Sequence, residues 1–288
     1  AMPSLFCFGL GYTAGFLVKQ LIQEGWDCAG TCRSADSFHS LHAKGIETYQ
    51  WEGGNPVFAM QQRLAEATHI LHSIPPTEGI DPVLALHQQQ PFSLSHLQWF
   101  GYLSTTGVYG DHRGGWVDES TPTHPVNARL HHRVRMENAW KSEKIPLHVF
   151  RLSGIYGPGR SALEALQNGT ARRIDKPGQY FSRIHVEDIV QVLYASMQHP
   201  APGNTYNVAD DLPAPQEEVV AYAASLLGIP APPLVPLAQA GLSAMARSFY
   251  ESNRRVSNRK LRDTLHIKLR YPTYREGLLD LASQMSHD

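Results

Sequence analysis

Residues 4–14 of the chain read SLFCFGLGYTA, a short apolar run followed by a glycine-rich turn. Gly9, Gly11 and Ala14 have the spacing G-x-G-x-x-G/A. In that motif the first glycine permits a tight turn, the second lets a pyrophosphate approach the backbone, and the last small residue lets helix and strand pack closely. The following helix would direct its free N–H groups and the positive end of its dipole at the phosphates. The residues expected to contact a dinucleotide here are Gly9, Gly11, Tyr12, Thr13 and Ala14.

Apolar runs and helical patterns alternate over the first 157 residues. Predicted strands cover residues 4–8, 26–32, 46–51, 68–74, 99–104 and 146–152, and predicted helices cover 13–24, 35–44, 58–67, 82–90 and 126–142. Nearly continuous apolar strands that alternate with helices are typical of a parallel sheet covered on both faces. The sequence therefore predicts an α/β fold with a doubly wound parallel Rossmann sheet.

The alternation loosens after residue 157. The patterns predict helices over 162–167, 186–197 and 216–227, a strand over 205–209, a proline-rich connector over 229–236 and an amphipathic helix over 240–250. We expect residues 1–157, with 184–210 returning to them, to form the dinucleotide-binding core, and 158–183 and 211–288 to form a smaller substrate-side domain. Arg254 and Arg255 would either reach a substrate phosphate or lie in a solvated loop.

The end of the second predicted strand bears on the choice of cofactor. An acidic residue there accepts from the ribose 2′-hydroxyl of NAD, whereas an arginine accommodates the 2′-phosphate of NADP. This strand ends at Arg33 and Ser34, with no acid before Asp36. Arg33 can bind phosphate and stack on adenine, so we expect NADP(H) as the cofactor, with NAD(H) as the alternative. The non-functional alternative is that Arg33 is a solvated surface arginine.

The fourth predicted strand supplies further expected cofactor contacts. Ligands bind outside the carboxyl ends of the strands in open α/β sheets. The strand covers residues 68–74 and runs into a proline pair. We therefore expect Ser73, Ile74 and Pro75 to line the dinucleotide site. Ser34 and Thr105 are further expected cofactor contacts.

Composition and charge exclude several functional classes. The formal net charge of −1 over 288 residues gives no basic excess for nucleic acid or a membrane surface. No apolar run reaches the roughly 18 residues needed to span a bilayer. The start has no basic segment before its apolar run, so we expect no secretory signal and a cytoplasmic location. We interpret Ala1, which precedes Met2, as a remnant of an expression tag.

Cysteines and histidines give no metal-site pattern. The cysteines are Cys7, Cys28 and Cys32, an odd count on predicted strands, and we expect free, buried thiols. Among the 15 histidines, the pairs His39/His42 and His131/His132 lack a carboxylate or cysteine at ligand spacing. We expect scattered surface histidines and no metal.

Four later segments resemble one known family. Residues 103–111 with 116–119, 151–159, 183–189 and 206–210 are similar, in order, to segments of the extended short-chain dehydrogenases/reductases, the NAD-dependent epimerase/dehydratase family. The resemblance covers nearly the whole chain and implies a sheet of about seven strands with a small C-terminal substrate domain. It also implies a homodimer, because the family often dimerises through two helices. The glycine turn departs from the family pattern, whose first glycine would fall on Phe8.

The family's catalytic set is a Ser or Thr followed by Tyr-x-x-x-Lys on the next helix. The resemblance places the hydroxyl at Thr105, the tyrosine at Arg129 and the lysine at Arg133, when the family's later glutamate is matched to Glu137. Arg129 and Arg133 share one helical face, and Arg133 and Glu137 have the spacing of an ordinary ion pair. A guanidinium stays protonated, so these arginines can bind anions or stabilise negative charge but cannot shuttle protons.

Loss of the tyrosine–lysine pair leaves three functions open. The first is an enzyme acting on an anionic metabolite, such as a nucleotide-sugar. The second is a non-catalytic NADP(H)-binding sensor, and the third is an assembly factor that uses the cofactor only for structure. An enzyme needs another acid or base, for which the candidates are His131, His132, Tyr109, Tyr156 and His185. Tyr109, Tyr156, Arg160, Arg183 and His185 are the candidate substrate-binding residues, and the arginines have surface solvation as the alternative.

Overall fold

The computed structural model describes residues 2–285, so Ala1 and its interpretation as a tag remnant lie outside the described residues. The strands are β1 (Ser4–Phe8), β2 (Asp27–Cys32), β3 (Glu47–Gln50), β4 (His69–His72), β5 (Trp99–Thr105), β6 (Trp116–Val117), β7 (Leu147–Leu152), β8 (Gly154–Tyr156), β9 (Arg173–Asp175), β10 (Arg183–His185), β11 (Thr205–Val208), β12 (Leu234–Pro236) and β13 (Arg255–Val256). The helices are α1 (Tyr12–Gln23), α2 (Ala35–Ala43), α3 (Phe58–Glu66), α4 (Pro82–Gln89), α5 (Ala128–Lys141), α6 (Ala162–Gln167), α7 (Val186–Gln198), α8 (Gln216–Leu227), α9 (Ala244–Ser248), α10 (Arg259–Leu265) and α11 (Tyr274–Met285).

Seven strands form the main sheet in the order β11-β7-β5-β4-β1-β2-β3. The strand pairs β1–β2, β1–β4, β2–β3 and β4–β5 are parallel. The chain winds outward from β1 in one direction and from β4 in the other, so the topological switch point lies between these two neighbouring strands. The predicted fold class, a doubly wound Rossmann sheet of about seven strands, is confirmed.

The chain divides into two compact units. The first comprises the chain up to Thr105, Asn127–Arg151 and Val190–Tyr206, and the second comprises Thr106–Val126, Leu152–Ile189 and the chain from Asn207 onward. This division differs from the expected one, chiefly because residues 106–126 belong to the second unit. After Thr105 the chain forms a 3-10 turn and then β6, which pairs with β13 of the second unit.

Each unit has an apolar core of its own. A buried cluster of the first unit includes Phe6, Phe8, Phe100, Tyr102 and Trp140, which come from its strands and from α5. In the second unit a separate cluster joins α6, α8 and α11 and contains, among others, Tyr156, Leu163, Ala223, Tyr274 and Leu278. Burial of large aromatic and branched side chains on this scale is the dominant favourable contribution to folding of each unit.

The predicted helix over 240–250 is wrong. The structure has only the five-residue α9, followed by a 3-10 turn over Phe249–Glu251. Gly241 has a left-handed φ of +63°, and the Ser243 hydroxyl accepts from the Ala246 N–H at 3.1 Å. A left-handed residue interrupts a helix and a serine caps the next one, so a continuous helix cannot run through residue 241.

The three cysteines are free and buried, as expected. Burial raises the pKa of each thiol, that of Cys28 to about 12. Within residues 2–285, no group of three or more histidine, cysteine, aspartate or glutamate side chains is arranged to hold a metal ion. Over the same residues, no helix combines the length and apolar character that a bilayer crossing requires.

Candidate functional site

The glycine turn leaves β1 at the switch point and is held by β2. The Gly9 N–H donates to the Thr31 hydroxyl at 2.9 Å, and the Leu10 N–H donates to the Thr31 carbonyl at 2.8 Å. Gly9 has φ +92°, and a Cβ added there would lie 3.0 Å from Ile74 Cγ1. The left-handed backbone favours glycine at this position, and a Cβ would in addition force Ile74 to shift.

Helix α1 begins directly after the turn, with Gly11 as its N-cap. Gly11 is exposed, has no side chain with which to cap the helix, and would have nothing within 4 Å of an added Cβ. Thr13 and Ala14 are buried against the sheet, while the Tyr12 ring lies 5.1 Å from that of Phe16. An open helix N-terminus with no capping side chain at its N-cap is suited to bind a phosphate group, so these residues fit the pyrophosphate of a dinucleotide.

A close approach of β1 and β2, which sequence reasoning missed, depends on Gly30. A Cβ added at Gly30 would overlap the Cys7 carbonyl oxygen and the Leu10 side chain. An isolated glycine inside a strand is a signal of close backbone packing, and could have indicated this position.

Arg33 and Ser34 follow the carboxyl end of β2. Arg33 is exposed, its carbonyl accepts from Gln50 Nε2 at 3.0 Å, and its guanidinium forms no ion pair within the described part of the chain. The Ser34 hydroxyl caps α2 by accepting from the Ser37 N–H at 3.0 Å, and it donates to the Ser37 hydroxyl at 2.9 Å. Arg33 therefore offers an exposed cation at the strand end, whereas the Ser34 hydroxyl is already engaged.

The loop after β4 lies beside the glycine turn. The Ser73 N–H donates to the Phe8 carbonyl at 2.9 Å, Ile74 contacts Gly9 as described, and Pro75 is exposed. The Ile74 N–H donates to Nδ1 of His72, whose Nε2 faces the buried Asp81 carboxylate. Sequence reasoning missed His72 and Asp81. The Asp81-Pro82 pair is an N-cap signal for α4, but no local pattern pairs Asp81 with a histidine nine positions earlier.

Arg133 lies at the carboxyl end of β5, where Thr105 is the last strand residue. Its Nη1 donates to the Tyr102 hydroxyl and to the Leu103 carbonyl, each at 3.1 Å. Arg129 is exposed one turn earlier on α5, and partial burial together with the Arg133 charge lowers its pKa. The structure thus brings Arg129 and Arg133 together on one face of α5, as their spacing predicted.

Glu137 does not pair with Arg133, so the ordinary i,i+4 ion pair that the spacing allowed is not formed. Its Oε1 lies 2.7 Å from Arg151 Nη2, and its Oε2 accepts from Arg151 Nε at 3.2 Å and from the Ser104 hydroxyl at 2.5 Å. Glu137 and Arg151 are both buried. The stronger, buried partner on β7 therefore holds the carboxylate, and α5 is tied to the sheet.

The two tyrosines that are candidates for acid–base catalysis or substrate binding are buried in the second unit. Tyr109 is fully buried and its hydroxyl donates to Asn207 Oδ1 at 2.6 Å. Tyr156 is also buried, its hydroxyl donates to the Thr273 carbonyl at 3.4 Å, and burial raises its pKa. A buried phenol with a raised pKa stays protonated at neutral pH, so Tyr156 is not poised as a base.

His185 is buried and neutral rather than poised to exchange protons. Its Nδ1 accepts from the Glu187 N–H at 3.0 Å, and its ring lies 4.1 Å from that of Tyr271. Burial lowers its pKa to about 4. Of the other two histidine candidates, His131 is exposed and His132 accepts from Arg135.

The arginines of the second unit differ in accessibility. Arg183 donates to the carbonyls of Phe181 and Ala214 at 3.1 and 3.2 Å, and burial lowers its pKa against the pull of Asp210. Asp210, which sequence reasoning missed as a titrating group, is buried, and burial raises its pKa to about 8. Arg160 is exposed, so it keeps a cation within reach of solvent.

Arg254 and Arg255 are anchored, so the solvated-loop interpretation is wrong. Arg254 Nη1 donates to the Ser252 hydroxyl at 2.9 Å and to the Gly110 carbonyl at 3.3 Å. Arg255 Nε donates to the Gly114 carbonyl at 2.7 Å, and its guanidinium packs over the rings of Trp116 and Tyr180. The strand pairing of β13 with β6 accounts for this, because it places both arginines against residues 110–116.

Solved structures share this fold over nearly the whole chain, although no family model matches it. A functionally unknown conserved protein from Silicibacter pomeroyi is 49% identical, with 98% of this chain and 99% of that chain covered at a TM-score of 0.91. The dTDP-glucose 4,6-dehydratase of Bacillus anthracis, solved with NAD, is 18% identical, with 100% and 97% covered at 0.77. The human epimerase family protein SDR39U1, solved with NADPH, is 16% identical, with 97% and 99% covered at 0.76.

The sheet order and these neighbours define the fold class, a doubly wound Rossmann sheet that is also found in proteins named as a dehydratase and an epimerase. The fold that the resemblance implied is therefore confirmed, and the names of these neighbours agree with the resemblance. Within that class, the chain belongs to the same family as the functionally unknown Silicibacter pomeroyi protein, to which it is 49% identical.

Proposed function

We propose that the chain binds NADP(H) at the glycine turn and acts on an anionic small molecule without a Tyr-x-x-x-Lys pair. One observation carries the proposal: an uncapped helix N-terminus, held open by Gly9 and Gly11, lies at the switch point of the sheet. Neighbours of this fold solved with NAD and with NADPH support a nicotinamide dinucleotide as the ligand.

The exposed Arg33 supports NADP(H) over NAD(H). Its guanidinium has no ion pair to break among the described residues, so it is available for charge-assisted hydrogen bonds to a 2′-phosphate. The two residues that directly follow β2 are Arg33 and Ser34, and neither has a carboxylate that could accept from a ribose 2′-hydroxyl. When bound, the dinucleotide supplies a hydride donor or acceptor.

Arg129 and Arg133 support an anionic substrate. They lie near one another at the carboxyl end of β5, and Arg133 is fixed there by Tyr102 and Leu103. Two guanidinium groups so placed bind a phosphate or carboxylate and stabilise negative charge that develops near them. A nucleotide-sugar has such groups, and a dTDP-glucose dehydratase shares the fold. Arg160 remains a further candidate for anion binding.

A second candidate function is a non-catalytic NADP(H) sensor. Burial of Tyr109, Tyr156 and His185 favours it, because three candidates for a replacement acid or base lie in the protein interior. The two functions differ in turnover: an enzyme oxidises or reduces the cofactor, or uses it transiently, in the presence of a substrate. A sensor leaves the cofactor and the small molecule unchanged. Its affinity for a partner instead depends on whether the bound cofactor is oxidised or reduced.

Isothermal titration with NADPH and NADH tests the cofactor assignment. We expect NADPH to bind more tightly to the unaltered chain, and Arg33→Ala to weaken NADPH by about tenfold to a hundredfold, the worth of one or two charge-assisted hydrogen bonds, while NADH binding changes little. The matched control is Arg259→Ala, which removes another exposed arginine. Equal affinities for both dinucleotides would refute the NADP(H) preference, and no binding of either would refute the proposal as a whole.

A further inference from the structure

His72, the last residue of β4, has both ring nitrogens engaged and is 0% exposed. Its Nδ1 accepts from the Ile74 N–H at 3.2 Å. Its Nε2 lies 2.9 Å from each carboxylate oxygen of Asp81. A nitrogen that accepts an N–H bond has no proton of its own, so the ring proton that faces Asp81 is on Nε2.

Asp81 fixes that arrangement from the opposite side. It is 4% exposed, and its oxygens accept from the N–H groups of Val83 and Leu84 at 3.0 and 3.1 Å and from Trp140 Nε1 at 2.9 Å. Burial opposes ionisation, but His72, Trp140 and the backbone donors outweigh it and lower the pKa of Asp81. An ionised carboxylate can only accept, so it selects the Nε2–H tautomer of His72.

The Nδ1 acceptor that results points at the loop beside the glycine turn. Ile74 is half-buried and packs directly against the glycine turn. Its Cγ1 would lie 3.0 Å from a Cβ added at Gly9. The hydrogen bond from its N–H to His72 fixes the backbone of the loop as it leaves β4. The position of Ile74 beneath Gly9 therefore depends on the tautomer of a buried histidine.

We infer that His72, oriented by Asp81, is a positioning residue for the dinucleotide site. It makes no contact with the ligand and acts through Ile74, whose place against Gly9 sets the shape of the phosphate-binding turn. The inference rests on the proposed function, because it takes the glycine turn to be the place where NADP(H) binds.

His87 provides a matched control in the same unit. It is 5% exposed, its Nδ1 accepts from the Phe92 N–H at 3.1 Å, and its Nε2 lies 3.4 Å from Glu143 Oε2. His87 thus makes the same kinds of bond as His72, but the backbone that it holds is that of Phe92. If His72 had only a structural role, replacing either histidine would have the same effect on stability and on NADPH affinity.

The test is NADPH titration of His72→Phe, His72→Asn and His87→Phe, with thermal unfolding of each. We expect His72→Phe to weaken NADPH by about tenfold, the worth of one hydrogen bond. His72→Asn, whose side-chain oxygen lies near the Nδ1 position, should stay within about threefold. His87→Phe should lower the melting temperature without changing the NADPH affinity. Equal losses of affinity in His72→Phe and His87→Phe, or none in either, would overturn the inference.

The unaltered chain gives a second test that does not depend on a variant folding. Imidazole nitrogen shifts should show the Nε2–H tautomer of His72, and hydrogen exchange of the Ile74 N–H should slow when NADPH binds. The inference is overturned, while the proposed function stands, if His72 has its proton on Nδ1. It is also overturned if saturation with NADPH does not change the hydrogen-exchange rate of the Ile74 N–H. Failure of the unaltered chain to bind NADPH refutes the proposed function and the inference with it.

Discussion

The buried pair of Glu137 and Arg151 allows a quantitative prediction of stability. Glu137 is 1% exposed and accepts from Arg151 at 2.7 and 3.2 Å and from Ser104 at 2.5 Å. Glu137→Gln keeps the length of the side chain but removes its charge. The new amide nitrogen is a donor that must face either a guanidinium or a hydroxyl group that already donates to this site.

The cost follows from the contacts that are lost. Breaking a buried ion pair by removing one partner costs about 3–5 kcal/mol, because the other charge stays buried without compensation. Glutamine retains one acceptor oxygen, so we expect the lower end, about 3 kcal/mol. The control is Glu66→Gln, whose carboxylate is 68% exposed and lies 3.8 Å from Arg63. A surface pair of this kind is worth less than about 1 kcal/mol.

Urea unfolding followed by circular dichroism measures both values by linear extrapolation. The double variant Glu137→Met/Arg151→Leu replaces the pair by apolar side chains, and we expect it to be more stable than the sum of its single variants indicates. A loss in Glu137→Gln no larger than that in Glu66→Gln would show that this pair does not hold α5 to the sheet.

Two further predictions concern the turn and the response to acid. Gly9→Ala should cost at least about 1–2 kcal/mol of stability because φ is +92°. Gly11→Ala has open space around the added Cβ and loses only the preference for glycine at the N-cap, so we expect it to cost less than about 1 kcal/mol and to weaken NADPH binding. Equal effects of the two variants on unfolding would contradict this. Burial lowers the pKa of His69 and His148 from 6.5 to about 4, so the folded chain binds fewer protons and loses up to about 3 kcal/mol per histidine as the pH falls through that range. Urea unfolding at a series of pH values measures this loss. The free energy of unfolding should fall less steeply with decreasing pH in His148→Gln than in the unaltered chain, and an equal slope would show that His148 does not contribute.

The sequence was informative where structure depends on neighbouring residues. Apolar runs set by local periodicity predicted the sheet, and α6 and α8 begin and end where predicted, at 162–167 and 216–227. The glycine turn was also readable, since a tight turn before a helix is a local requirement. The choice of Arg33 as a phosphate contact stays a prediction, because it depends on a ligand.

The sequence was less informative where partners come from distant elements. The spacing of Arg133 and Glu137 allowed a local ion pair, but Arg151 on β7 binds the carboxylate more closely. Tyr109 and Tyr156 have the character of acid–base residues, yet packing buries both. Nothing local distinguishes His72 from other histidines, because its role is set by Asp81 and by the backbone of Ile74.

The burial of all three thiols has a practical consequence. Only thiolates react readily with maleimides and similar reagents, and burial keeps Cys7, Cys28 and Cys32 protonated and shielded at neutral pH. A cysteine introduced at an exposed position such as Ser37, next to the Ser34 cap, would then react selectively without removal of the native three. A fluorophore attached there would report whether NADPH binds at the end of β2, as we propose, in an otherwise unaltered chain.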